Sequence, residues 1–136
     1  MKGFGTARTS FIVTISMALL MTSGAAVTQP MLTTFGDDVA LLFCSQVRHN
    51  NANEFRNKLR EYRLRIRDIY PRVRCNGETM IQFAQRNRSF DIGRFIAHSV
   101  LIDDLHELGD ALWARQLPEQ DSIRQAIEAR LEQVSQ

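Results

Sequence analysis

Three features of this 136-residue sequence predict an all-α fold. Apolar residues recur every three or four positions in one segment after another, the spacing that lines one face of a helix. No long run alternates between apolar and polar residues as a half-buried strand does. Turn-forming pairs, Asn50-Asn51 and Asn76-Gly77, interrupt the periodic segments.

The chain opens with Lys2 and Arg8, then a short apolar run over residues 11–21, then small residues from Thr22 to Ala26. That order predicts an export signal over residues 1–25, cut after Ala25 or Ala26. A permanent membrane helix needs roughly twenty apolar residues, more than this run supplies. A lipid anchor needs a cysteine directly after the cut, and the first cysteine is Cys44. The expectation is an exported protein, periplasmic or secreted, with no transmembrane segment once the signal is removed. Residues 26–36, with Pro30 and Gly36, read as a flexible lead-in.

A core domain is expected over residues 37–99. Asp37 and Asp38 suit a helix N-terminus, and Val39, Leu42, Phe43 and Val47 follow at helical spacing. Phe55, Leu59 and Tyr62 predict a second helix. Around Ile66, Ile69 and Tyr70 the spacing predicts a short helix or turn ending near Tyr70, because Pro71 disfavours helix in the residue before it. Asn76-Gly77 predicts a tight turn, both residues accepting positive φ. A third long segment starts near Thr79 and buries Met80, Ile81, Phe83 and Ala84. Ser89 is placed to cap the next helix, with Phe90, Ile92, Phe95 and Ile96 as its apolar residues.

Residues 100–136 read as an extension of two helices. The first carries Leu101, Leu105, Leu108 and Leu112; the second has Pro118 in its first turn and Ile123, Ile127, Leu131 and Val134 as its stripe. Trp113 and Leu117 are expected to pack as core or to cover the joint before Pro118.

Composition narrows the function classes. The full chain is +2, but Lys2 and Arg8 would leave with the signal, so the remainder carries 15 basic and 15 acidic residues. The two cysteines, Cys44 and Cys75, suggest one disulfide in an oxidising compartment, with two separate buried thiols as the alternative. They lack the Cys-x-x-Cys spacing of a redox pair. His98 and His106, eight residues apart, lie more than 10 Å apart along a helix and cannot share an ion, so no metal or other cofactor is expected. Catalysis is not expected either. No Gly-x-Ser-x-Gly elbow is present, and Asp103 and Asp104 point about 100° apart on a helix.

The sharpest local feature is charge. Between residues 48 and 74 stand nine basic residues against Glu54, Glu61 and Asp68. Within that segment Arg60, Arg63, Arg65, Arg67, Arg72 and Arg74 are the candidate binding residues, since guanidinium forks match carboxylate or phosphate. Residues 100–136 are acidic in balance, so the two regions either meet, are merely solvated, or serve an anionic partner. Nucleic acid is excluded as an expectation because no aromatic platform accompanies the arginines.

Two resemblances cover residues 42–97. Leu42-Phe-Cys44, the basic segment and Arg74-Cys-Asn-Gly77 followed by Met80-Ile-Gln-Phe-Ala84 resemble a family of small exported bacterial proteins of unknown function. That resemblance implies a bacterial origin and pairing of Cys44 with Cys75, and carries no activity. Gly77-Glu-Thr79 leading to Ala84, then Phe90 to Ile96, is similar to an ankyrin repeat. Met80, Arg88 and Gly93 depart from the proline, glycine and valine of that repeat. It implies a small domain of stacked helical hairpins. The resulting expectation is a non-enzymatic exported helical protein that binds a protein partner. An envelope-binding module whose arginine face reads anionic lipid or glycan is the alternative.

Overall fold

Residues 35–133 are described by the structure, a computed structural model. Among them are eight helices: α1 Phe35–Arg48, α2 Ala52–Glu61, α3 Ile66–Ile69, α4 Met80–Arg86, α5 Phe90–Ser99, α6 Ile102–Glu107, α7 Asp110–Ala114 and α8 Ser122–Glu132. No strand occurs among the described residues, and the all-α class holds. The expected signal over residues 1–25 and Val134 lie outside the described residues.

Helices α1, α2 and α4 bury most of the stripe that their spacing dictates. Val39, Phe43 and Val47 carry α1 into the core, and Phe55 and Leu59 carry α2. Phe43 meets Phe55 edge-on at 4.9 Å between ring centroids, and Phe55 meets Phe95 at 6.0 Å. Met80, Ile81, Phe83 and Ala84 of α4 are buried as expected. Helix α5 packs most extensively against α8, and Gly93 permits the approach. A Cβ there would stand 3.0 Å from Ile123 Cγ1 and 3.2 Å from Ala84 Cβ, tighter than ordinary contact.

Chain reversals follow local chemistry. Asn76 and Gly77 adopt φ of 53° and 79°, and Cys75 and Glu78 exchange two backbone hydrogen bonds across them. Thr79 caps α4, its side chain accepting from Gln82 N at 3.2 Å. The short α3 ends at Ile69 with Tyr70 as its C-cap, as expected, but Tyr70 keeps helical backbone (φ −53°, ψ −48°), so the end does not come from Pro71 forcing its predecessor out of the helical region.

Several expectations are corrected. The leucines from Leu101 to Leu112 do not share one helix. Gly109 at φ 81° breaks the segment into α6 and α7, so three helices rather than two follow residue 100. Leu101 and Leu112 are exposed; only Leu105 of the four is fully buried. The last helix does not start at Pro118 but at Ser122. Asp121 is its N-cap, accepting from Ile123 N at 2.9 Å and Arg124 N at 3.0 Å. A carboxylate that reaches two free N–H groups outweighs the proline preference.

Ser89 stands at the N-cap of α5, yet its hydroxyl donates to Arg48 O at 3.3 Å instead. The acceptor for that helix comes from Asn50, whose Oδ1 accepts from Ile92 N at 3.2 Å and whose Nδ2 donates to Asp91. Tyr62 is exposed because α2 ends at Glu61. Helix α1 begins at Phe35, two residues before Asp37.

Candidate functional site

A groove beside the disulfide

Positions 37, 41, 44, 45 and 48 fall on one face of α1, at the spacing that stacks side chains turn over turn. That face does not enter the core; it forms one wall of an open groove of about 540 Å³. The opposite wall is the Cys75 turn with Arg74 and Asn76, and Phe83 and His49 contribute to the lining. Cys44 and Cys75 are bonded, with Cα atoms 5.6 Å apart, so the disulfide joins the two walls. Cys75 is buried while Cys44 is half-buried.

Cations rim this groove. Arg48 lies over the Phe83 ring, its guanidinium carbon 5.7 Å from the centroid, a contact that orients the group without neutralising it. Arg74 Nη1 donates to Val73 O at 3.0 Å and Pro71 O at 3.4 Å. His49 Nδ1 donates to Ser45 O at 2.7 Å, which leaves Nε2 as its hydrogen-bond acceptor. Leu41 is 71% exposed in the same groove, and Asp37 is the one acidic side chain in its lining.

The six arginines singled out from the sequence are not brought together. Arg74 alone lines the groove. Arg65 pairs with Asp68 at 2.8 Å and holds that carboxyl below the usual carboxylate range by its hydrogen bond. Arg72 Nε donates to Asp68 O at 3.1 Å, and Arg60 bonds Asn57 one turn back on α2. Arg63, at φ 54°, and Arg67 are exposed. Every ion pair among the described residues lies within one local segment, so no ion pair joins the basic region to the acidic one.

One acid counted with the acidic region is internal. Asp110, at the start of α7, is fully buried and accepts hydrogen bonds from Tyr70 Oη, from Thr79 Oγ1 at 2.8 Å and from Gln82 Nε2 at 2.9 Å. Burial raises its pKa, against the lowering effect of those three donors. Burial, with the Asp110 charge, also pushes the Tyr70 phenol well up. A carboxylate with both oxygens engaged by structural donors fastens α7 to α4 and to the end of α3.

No group of three or more His, Cys, Asp or Glu that could hold a metal occurs among the described residues. No described helix is long and apolar enough to cross a membrane.

The sequence reading placed Cys44, Cys75 and Arg74 but missed Arg48, His49 and Leu41 as a set. The signal was available: Leu41, Cys44, Ser45 and Arg48 share one face, opposite the stripe of Val39, Phe43 and Val47. Asp110 had no such signal, since its donors stand 28 to 40 residues away.

Neither the curated proteins nor the solved structures contain a match to this chain. A family model described as protein of unknown function (DUF3718) matches residues 43–107, a span holding both cysteines and the whole basic segment. Over that span, from the second half of α1 through α6, the chain is similar to a family of unknown function.

Proposed function

We propose that this is an exported, non-enzymatic helical domain that works by binding a partner protein along the groove between α1 and the Cys75 turn. The observation that carries this reading is the groove itself: an open cleft, joined wall to wall by a disulfide, with an exposed leucine and two arginines on its rim. Leu41 offers a partner an aliphatic surface directly beside the two cations. The covalent floor keeps both walls in register before a partner arrives, which lowers the ordering cost of association. Export is supported by the apolar leader and by the disulfide, which persists in oxidising compartments.

Two measurements test it. Mass spectrometry of the protein recovered from the envelope should show loss of about twenty-five residues and of two hydrogens per chain; an intact Met1 or free thiols would refute export. A photoreactive phenylalanine analogue at position 41 of the full chain should give discrete partner adducts in cells, and the same analogue at Ala129 should not. Equal adduct patterns from the two positions would overturn the groove as the working face.

A further inference from the structure

Arg48 and Arg74 reach the same groove from opposite walls, one from the end of α1 and one from the turn that the disulfide holds against it. Both guanidiniums are steadied by groups that carry no charge, a phenyl ring and two peptide carbonyls. Arg65, Arg86, Arg94 and Arg124, by contrast, each have a carboxylate close by in sequence and space. His49, just past the end of α1, adds an imidazole acceptor, and Leu41 adds an aliphatic surface on α1.

Resting on the groove as the working face, we infer that its occupant is an acidic peptide segment of the partner, with carboxylate side chains flanked by aliphatic ones. Two guanidiniums on facing walls match carboxylates in charge and in fork geometry. Leu41 and Ala40 match an aliphatic neighbour, and the His49 acceptor can take a backbone N–H. The protein's own leader and lead-in cannot supply this ligand, because residues 1–36 contain no aspartate or glutamate. A bare inorganic anion would leave Leu41 uncovered. An anionic membrane would be met first by the exposed Arg63 and Arg67, which lie outside the groove.

The probe is a blocked, fluorescently labelled octapeptide with two adjacent glutamates flanked by leucines, titrated into the oxidised full chain and compared with its glutamine counterpart. The glutamate peptide should bind at least about tenfold more tightly, as expected for charge-assisted pairing, and the preference should shrink with added salt. Replacing Arg48 and Arg74 together by glutamine should abolish the preference, while Arg63→Gln with Arg67→Gln should leave it intact. Equal binding of the two peptides overturns the inference without relying on any protein variant. So does loss of the preference in the Arg63/Arg67 variant, or displacement of the peptide by millimolar inorganic phosphate or phosphatidylglycerol vesicles. Adducts at position 41 that persist in cells when Arg48 and Arg74 are glutamine would overturn the acidic occupant while leaving the groove as the partner site.

Discussion

The segment from Tyr70 to Gln82 is fastened on two sides by different chemistry. Toward α1 the link is covalent, through Cys44 and Cys75. Toward α7 it is a buried carboxylate, Asp110, taking hydrogen bonds from Tyr70, Thr79 and Gln82. The covalent side borders an open groove, and the hydrogen-bonded side is closed to solvent. A disulfide tolerates solvent beside it because its strength does not depend on excluding water. A hydrogen-bonded carboxylate hub keeps its geometry only where water cannot compete. The open face could therefore be built on the first kind of link and not on the second.

The largest break in this pair should come from the disulfide. Its cysteines are 31 positions apart, and the chain-entropy model assigns a loop of that size about 3–4 kcal/mol. Cys44→Ser with Cys75→Ser should lower the unfolding free energy by about that amount in urea titrations. A double variant as stable as the oxidised wild type would show that the staple is redundant.

Next in size is the hub. Asp110→Ala leaves the buried Tyr70 and Thr79 hydroxyls without their acceptor, at a cost of about 2–3 kcal/mol. Asp110→Asn should cost only about 1 kcal/mol, because its oxygen serves Thr79 and Gln82 while its amide meets Tyr70 with that hydroxyl turned to accept. Equal losses for the two variants would argue against a hydrogen-bonding role.

A pH arm separates the two links further. An aspartate ordinarily titrates near 3.8, and burial raises Asp110 above that in the folded protein. The folded state therefore holds this proton more tightly than the unfolded state. Its contribution to stability is complete below the unfolded value and is lost as pH rises through the raised folded value. Subtracting the stability profile of Asp110→Asn from that of the wild type should leave a component that declines with rising pH; a rising component would contradict the assignment. The double cysteine variant should keep the wild-type slope.

The smaller effects lie away from both links. Gly93→Ala should cost about 1–2 kcal/mol, since the added methyl presses Ile123 and Ala84 by more than the helix gains from alanine. No loss would mean that α5 and α8 can part without penalty. Arg65→Gln, at an exposed ion pair with Asp68, should leave the thermal midpoint unchanged by circular dichroism.

Most of the helices were legible because their signals are local. Thr79 and Asn76-Gly77 act on neighbouring backbone and stand as read, and α3 ends where expected although Tyr70 keeps helical backbone before Pro71. Leucine periodicity misled between Leu101 and Leu112, where Gly109 at positive φ outweighs four residues of suitable spacing. Pro118 misled for a similar reason, a generic preference against the specific reach of Asp121. The groove was half legible: its α1 wall is written in the spacing of Leu41, Cys44 and Arg48. The facing wall arrives only through a cross-link that spans the basic segment, and charge totals could not say which arginine would stand there.

Asn50 carries a consequence for the order of folding. Its side chain supplies the acceptor for Ile92 N across 42 residues, so the first-turn partner that Ser89 does not provide to α5 comes from the bend between α1 and α2. Until the bend between α1 and α2 docks, that amide has only water to bond. Protection of the Ile92 amide in pulsed hydrogen exchange during refolding should therefore appear when Asn50 arrives rather than when α5 first coils.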